Sequence, residues 1–164
     1  MRLSVASYCR PHPRSVKIEA EVCGHYVNSI LATTEAKRNG FDEALVLDSD
    51  GFLAEGPGAN FFFEEDGVLY TPQLGNILPG ITRATVLELA ENLGIKVKKG
   101  LFRPEELYTA DSAFYCGTAA EVIGIESVNE YQFPKKWNDS LGKKLQDEYS
   151  KLVRTPEKKL STAT

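Results

Sequence analysis

Three features of the sequence predict a mixed α/β domain. Short apolar strand patterns and longer amphipathic helix patterns share the chain, they alternate irregularly rather than as repeated βα units, and 164 residues suffice for one core. Leu3–Cys9 alternates loosely and reads as a strand that Pro11 and Pro13 break. Tyr26–Arg38 reads as a helix with Gly40 as its stop. Ala44–Leu47 is a compact apolar strand, and Asp48-Ser49-Asp50-Gly51 is a turn. Asn60–Glu64 and Val68–Tyr70 flank Glu65-Asp66-Gly67, a hairpin signal. Thr82–Leu93 is the clearest helix, because Val86, Leu89, Ala90 and Leu93 fall on one face and Gly94 follows. Ile95–Lys99 reads as a strand, Pro104–Tyr108 as a short helix, and Ala113–Cys116 and Val122–Val128 as strands. Trp137, Leu141, Leu145 and Tyr149 recur every four residues, which places a last helix over Lys135–Val153. The domain is expected over residues 1–154, with a flexible polar tail over 155–164.

Composition narrows the function classes. A net charge of −4 argues against nucleic acid or an anionic membrane as partner. No apolar run approaches the ~20 residues of a membrane span, and no apolar stretch follows Arg2 as it would in a signal peptide. Cys9, Cys23 and Cys116 are odd in number and irregular in spacing, so no disulfide framework is expected. With His12 and His25 as the only histidines, no clustered metal site is expected either. A cytoplasmic location is the default.

Three glycine-bearing segments could carry chemistry. Leu78-Pro79-Gly80-Ile81-Thr82-Arg83 opens the best helix, where unpaired amides favour an anion and the Thr82 hydroxyl adds a donor. The alternative is that Thr82 is an N-cap. Cys116-Gly117-Thr118-Ala119-Ala120-Glu121 follows a strand and is either a second anion cradle or a tight turn. Glu55-Gly56-Pro57-Gly58-Ala59-Asn60 sets a carboxylate beside glycines that admit a ligand closely, or is a surface loop with a solvated Glu55. Together they outline a phosphate site with a carboxylate nearby.

These three, with Gly24-His25-Tyr26-Val27-Asn28-Ser29 and Asp42-Glu43-Ala44, stand in the order seen in class IV (fold type IV) pyridoxal-phosphate aminotransferases, and the sequence resembles the branched-chain group most closely. The resemblance runs from about Leu3 to Val153. It implies a mixed sheet that partly forms a barrel, as in the C-terminal cofactor-binding domain of that family. It also implies pyridoxal 5′-phosphate as cofactor, an amino acid and a 2-oxo acid as small-molecule partners, and a homo-oligomer. The reaction implied is transfer of an amino group between a branched-chain L-amino acid and 2-oxoglutarate. D-amino-acid transaminases and aminodeoxychorismate lyases share the fold. The Asn28-to-Ala32 run and the Asp42-to-Leu45 strand favour the branched-chain group.

By the same resemblance Glu55 pairs with the pyridine nitrogen, where a negative partner keeps the ring protonated as an electron sink. Tyr26 matches the tyrosine bonded to the ring's phenolic oxygen, and Leu78 the residue packed on the ring face. Ile81, Thr82 and Thr118 match phosphate contacts. Gly117, Thr118 and Ala119 form the turn that takes the substrate carboxylate.

Two departures are expected to matter. The family's cofactor-linking lysine lies five residues before the tyrosine, and that position is Glu21. A carboxylate cannot make the carbon–nitrogen link, nor move a proton as the freed amine does. Lys17 is displaced from that point by ~13 Å if the stretch is extended. The alternative reading of Glu21 is a solvated surface carboxylate. Second, the family's smaller N-terminal domain has no counterpart before Leu3, so the chain is expected to be a fragment. The resulting expectation is an inactive aminotransferase domain, or a non-catalytic cofactor-binding or structural domain.

Overall fold

A computed structural model describes residues 1–155. The expected tail over 155–164 lies outside them except for Thr155. The elements run β1 (Arg2–Cys9), α1 (Tyr26–Arg38), β2 (Glu43–Leu47), β3 (Leu53–Gly56), β4 (Ala59–Glu65), β5 (Val68–Pro72), α2 (Ile81–Asn92), β6 (Val97–Gly100), β7 (Ser112–Gly117), β8 (Glu121–Ile125), β9 (Ser127–Val128), β10 (Tyr131–Gln132) and α3 (Leu141–Arg154). The class is mixed α/β. β1 is parallel to β2 and β9, and β5 to β6, whereas the other pairs are antiparallel.

β4 is the junction of the sheet. It pairs with β3 at Ala59 and Asn60, with β5 at Phe63–Glu65, and with β7 along Asn60–Glu64. From β7 the ladder passes to β8, and the chain then runs directly into β9, which pairs with β1. Glu126 bridges the two, donating its amide to the Met1 carbonyl at 2.7 Å. The ladder therefore runs from β1 through β2, β3, β4 and β7 to β8, and the segment after β8 returns beside β1 as β9.

Alternation along the strands sorts the core. Phe61 and Phe63 of β4 and Tyr115 of β7 pack with Leu3, Leu45 and Val128. Phe62, Phe114 and Cys116 face the other way, onto Val86 and Ala90 of α2 and Leu145 of α3. Both faces of β4 are thus covered, which is why Phe61-Phe62-Phe63 is a continuous buried run. Ala32 and Ala36 of α1 pack on Ala6, Ala44 and Val46, the small residues letting the helix lie close to β1 and β2.

Most elements lie where the sequence puts them. Gly40 and Gly94, both at positive φ, follow α1 and α2, and Asp66-Gly67 turns the β4–β5 hairpin. The last helix differs. Trp137 sits in a separate short 3₁₀ turn, Trp137–Asp139, and Ser140 caps α3 by accepting the Lys143 amide at 3.1 Å. The Trp137 ring lies against Gly124 and Gly142, where an added Cβ at either glycine would approach it to 2.6 Å. Its place in the four-residue period therefore comes from packing beside the helix. β3 was not expected, because Gly56-Pro57-Gly58 directly after so short a strand masks it.

Candidate active site

The ends of β3, β4 and β7, the start of α2 and the segment leading into α1 meet around one cavity of about 250 Å³. All nine residues singled out from the sequence line it: Glu21, Tyr26, Glu55, Leu78, Ile81, Thr82, Gly117, Thr118 and Ala119.

Glu55 is the buried carboxylate of the site. It is 4% exposed, so the solvated-loop reading does not hold. Pairing of Glu55 with Asn60 across β3 and β4 fixes its backbone. The Asn60 side-chain amide donates to Glu55 Oε2 at 3.0 Å and to the Leu78 carbonyl at 2.9 Å. The Leu78 amide lies 3.2 Å from both carboxylate oxygens. Arg10, also buried, places Nε 3.0 Å from Oε1, an ion pair without the alignment of a hydrogen bond. Burial outweighs the opposing pull of Arg10, the Leu78 amide and Arg83, and pushes the Glu55 carboxyl up to about 7.

The start of α2 forms another wall. Gly80, not Thr82, is the N-cap, and no side chain caps the helix. The first helical bond runs from the Ala84 amide to the Gly80 carbonyl, so the preceding amides have no intrahelical partner. Thr82 is buried and Ile81 is exposed, and both line the cavity. Gly80 is required by closeness: its φ is −62°, yet an added Cβ would come within 2.3 Å of Asn60 Oδ1. Gly117, Thr118 and Ala119 line the side beyond β7, where a Cβ on Gly117 would stand 3.0 Å from the Gly58 carbonyl.

Glu21 and Tyr26 form the exposed rim. A 3₁₀ turn over Cys23–His25 folds the chain back between them, and the Tyr26 hydroxyl donates to Glu21 Oε1 at 3.0 Å. That bond, with some burial and the nearby negative charge of Glu21, holds the Tyr26 hydroxyl above its ordinary pKa. Glu21 is solvated, and it also lines the cavity. Residues 13–20 form turns rather than an extended run, yet Lys17 is not among the lining residues, and none of those residues is a lysine. Sequence reasoning missed Arg10, Asn60, Ser29 and His25. A single arginine before a proline or an asparagine at a strand start has no signature of its own; pairing across β3 and β4 brings Asn60 to Glu55, and Arg10, directly after β1, is held beside β2 by its amide bond to the Leu47 carbonyl at 2.8 Å.

The class IV aminotransferase family model matches residues 1–128, more than three-quarters of the chain. The chain belongs to the class IV aminotransferases. Within that family it is 40% identical over 153 residues to the branched-chain-amino-acid aminotransferase of Pseudomonas aeruginosa, a match covering 93% of this chain and 50% of that protein. Among solved structures, the branched-chain amino acid aminotransferase of Escherichia coli is 36% identical. It superposes with a TM-score of 0.89 over 96% of this chain and 55% of the other. The pyridoxal-phosphate form of the Thermobaculum terrenum enzyme is 37% identical, with a TM-score of 0.90, covering 93% and 50%. The chain thus spans about half the length of the relatives it matches. The mixed α/β fold is that of these class IV enzymes.

Proposed function

We propose that this chain is a C-terminal pyridoxal-phosphate-binding domain of the branched-chain aminotransferase type, and that it holds the cofactor without a covalent bond and without turning over. The observation that carries this reading is the buried Glu55, which faces the same cavity as the uncapped start of α2. A phosphorylated pyridine needs both, a helix start for its phosphate and a carboxylate for its ring nitrogen. The residues fit such a ligand. They do not fit its covalent attachment, because among the described residues no lysine lines the cavity.

In this reading the amides of Ile81 and Thr82 and the hydroxyls of Thr82 and Thr118 bind the phosphate. Glu55 holds a proton at the ring nitrogen, and its high pKa reverts toward the ionised form once a pyridinium replaces water beside it. Leu78 covers a ring face, and Tyr26 meets the phenolic oxygen. The Gly117–Ala119 turn receives a substrate carboxylate. Bound pyridoxal phosphate supplies the electron sink of transamination. Glu21 supplies neither the nucleophilic amine nor the proton carrier that the reaction needs.

The wider reading is of a scaffold for amino transfer between a branched-chain L-amino acid and 2-oxoglutarate. Exposed Val27, Ile30 and Ile81 near the cavity support self-association as a homo-oligomer. Free thiols at Cys9, Cys23 and Cys116 suit the cytoplasm. Among the described residues no helix is long and apolar enough to cross a membrane.

The test is to restore the amine. Glu21→Lys incubated with pyridoxal phosphate and reduced with borohydride should gain the cofactor's mass at residue 21, and the unaltered chain should not. The unaltered chain should show no leucine:2-oxoglutarate transamination. Turnover by it would overturn the inactivity. Failure of both chains to bind pyridoxal phosphate in equilibrium dialysis would overturn the site.

A further inference from the structure

Glu21 does more than remove an amine from the rim of the cavity: it reverses the sign of the charge there. Its Oε1 accepts from Tyr26, and no side chain among the described residues takes its other oxygen. Among the described residues no lysine or arginine forms an ion pair with it. Ala20 and Val22, its chain neighbours, also line the cavity, so a ligand seated there would replace part of the water around the carboxylate with hydrocarbon. The site therefore holds an unpaired carboxylate whose need for a cation grows on filling.

The cofactor's own chemistry identifies the cation. Around the pyridine ring, the carbon bearing the reactive substituent lies between the one bearing the phenolic oxygen and the one bearing the phosphate arm, opposite the ring nitrogen. With the phosphate at the start of α2, the nitrogen at Glu55 and the phenolic oxygen at Tyr26, that substituent is the group beside the carboxylate bonded to Tyr26. In the aldehyde form it is neutral. In the aminomethyl form it is an ammonium at neutral pH, a donor of charge-assisted hydrogen bonds.

We propose that Glu21 makes this a site selective for the aminated cofactor, pyridoxamine 5′-phosphate, bound reversibly by an ion pair where a covalent link would otherwise stand. The proposal rests on the cofactor-site reading above and assigns Glu21 a positive role in specificity. The chain then acts as a noncovalent receptor for a phosphorylated pyridine amine.

The test compares pyridoxamine 5′-phosphate with pyridoxine 5′-phosphate, which carries a neutral hydroxyl in place of the ammonium and is otherwise the same. Isothermal titration calorimetry on the full chain should show the amine binding roughly fivefold or more tightly, the scale of one partly exposed charge-assisted contact. In Glu21→Gln, which keeps an oxygen for Tyr26 and loses the charge, the ratio should fall to near unity. Thr82→Ala should weaken both ligands alike and leave the ratio in place. Equal binding of the two ligands, or a preference that survives Glu21→Gln, overturns the proposal and leaves the cofactor site standing. Binding of neither ligand overturns both.

Discussion

Tyr26 donates its hydroxyl to Glu21, five residues earlier in the chain, at 3.0 Å. The bond closes the rim of the cavity on itself. It also commits the one proton that the tyrosine could otherwise give to a ligand, so an oxygen arriving there meets an acceptor.

Removing the carboxylate should free that proton. In Glu21→Ala the Tyr26 pKa should drop toward the ordinary tyrosine value, since the Glu21 hydrogen bond is the largest cause of its elevation. Titration of ¹³C-labelled tyrosine by NMR, with Tyr26→Phe to assign the resonance, reads this directly. An unmoved Tyr26 resonance would show that the bond is not formed in solution.

Glu55 should impose a pH dependence on stability. Its folded pKa, about 7, lies above that of an unfolded glutamate. As pH rises between those values the unfolded chain releases the proton that the folded chain keeps, so stability falls. The contribution is full below the unfolded pKa and is lost by about pH 8. It amounts to about 3 kcal/mol for this buried group, because each pH unit between the unfolded and folded values is worth about 1.36 kcal/mol. Urea titrations of wild type and Glu55→Gln from pH 4 to pH 8 should show their difference changing by about that amount. A constant difference would mean that Glu55 ionises normally.

Gly80→Ala should damage the site through Asn60. The new Cβ would meet Asn60 Oδ1 at 2.3 Å, displacing the amide that holds Glu55 and the Leu78 carbonyl. Overpacking of this kind costs roughly 1–3 kcal/mol. Coupling to Asn60→Ala should be strong, the double variant losing less than the sum of the singles. Additive losses would separate Gly80 from Asn60.

Lys135 should matter far from the cavity. It pairs with Glu64, which is 2% exposed and also accepts from the Ser112 hydroxyl at 2.9 Å and the Leu141 amide at 2.8 Å. Lys135→Ala strands that carboxylate and should cost on the order of 3 kcal/mol. Lys135→Met with Glu64→Gln should recover much of it. Equal losses in both would point to packing of the lysine stem.

Those buried groups were the hardest to read from sequence. α2 was legible because Val86 and Ala90 recur on one face and Gly94 follows, whereas α1 was legible from its length and the stop at Gly40, its buried face being only Ser29, Ala32 and Ala36. The run Phe61-Phe62-Phe63 announces a strand but not that both its faces are covered. From its own neighbours Glu55 could be either a carboxylate beside a ligand or a solvated loop residue, and its burial was not legible because Gly56 and Pro57 read as a loop. Arg10 and Asn60 were illegible, because their roles arise from strand register and the ends of β1 and β4 carry no local mark of it. Trp137 misled for a simple reason: a residue wedged against Gly124 and Gly142 can mimic helical spacing without being helical.

The double covering of β4 gives the cavity a floor and a rim of unequal permanence. Asn60 adjoins Phe61 and Phe62, which belong to separate apolar clusters on opposite faces. The strand cannot leave its place without opening both, so Asn60 and the Glu55 it holds should exchange their amide hydrogens only when the whole domain unfolds. Glu21 and Tyr26 stand on turns with exposed side chains and few such ties, and their segment can open alone. Where a lysine joins a cofactor covalently, such a rim is clasped by the ligand itself. With glutamate there, a ligand bound as proposed would clasp the rim only while it stays, and exchange at residues 20–26 should then report its residence in the site.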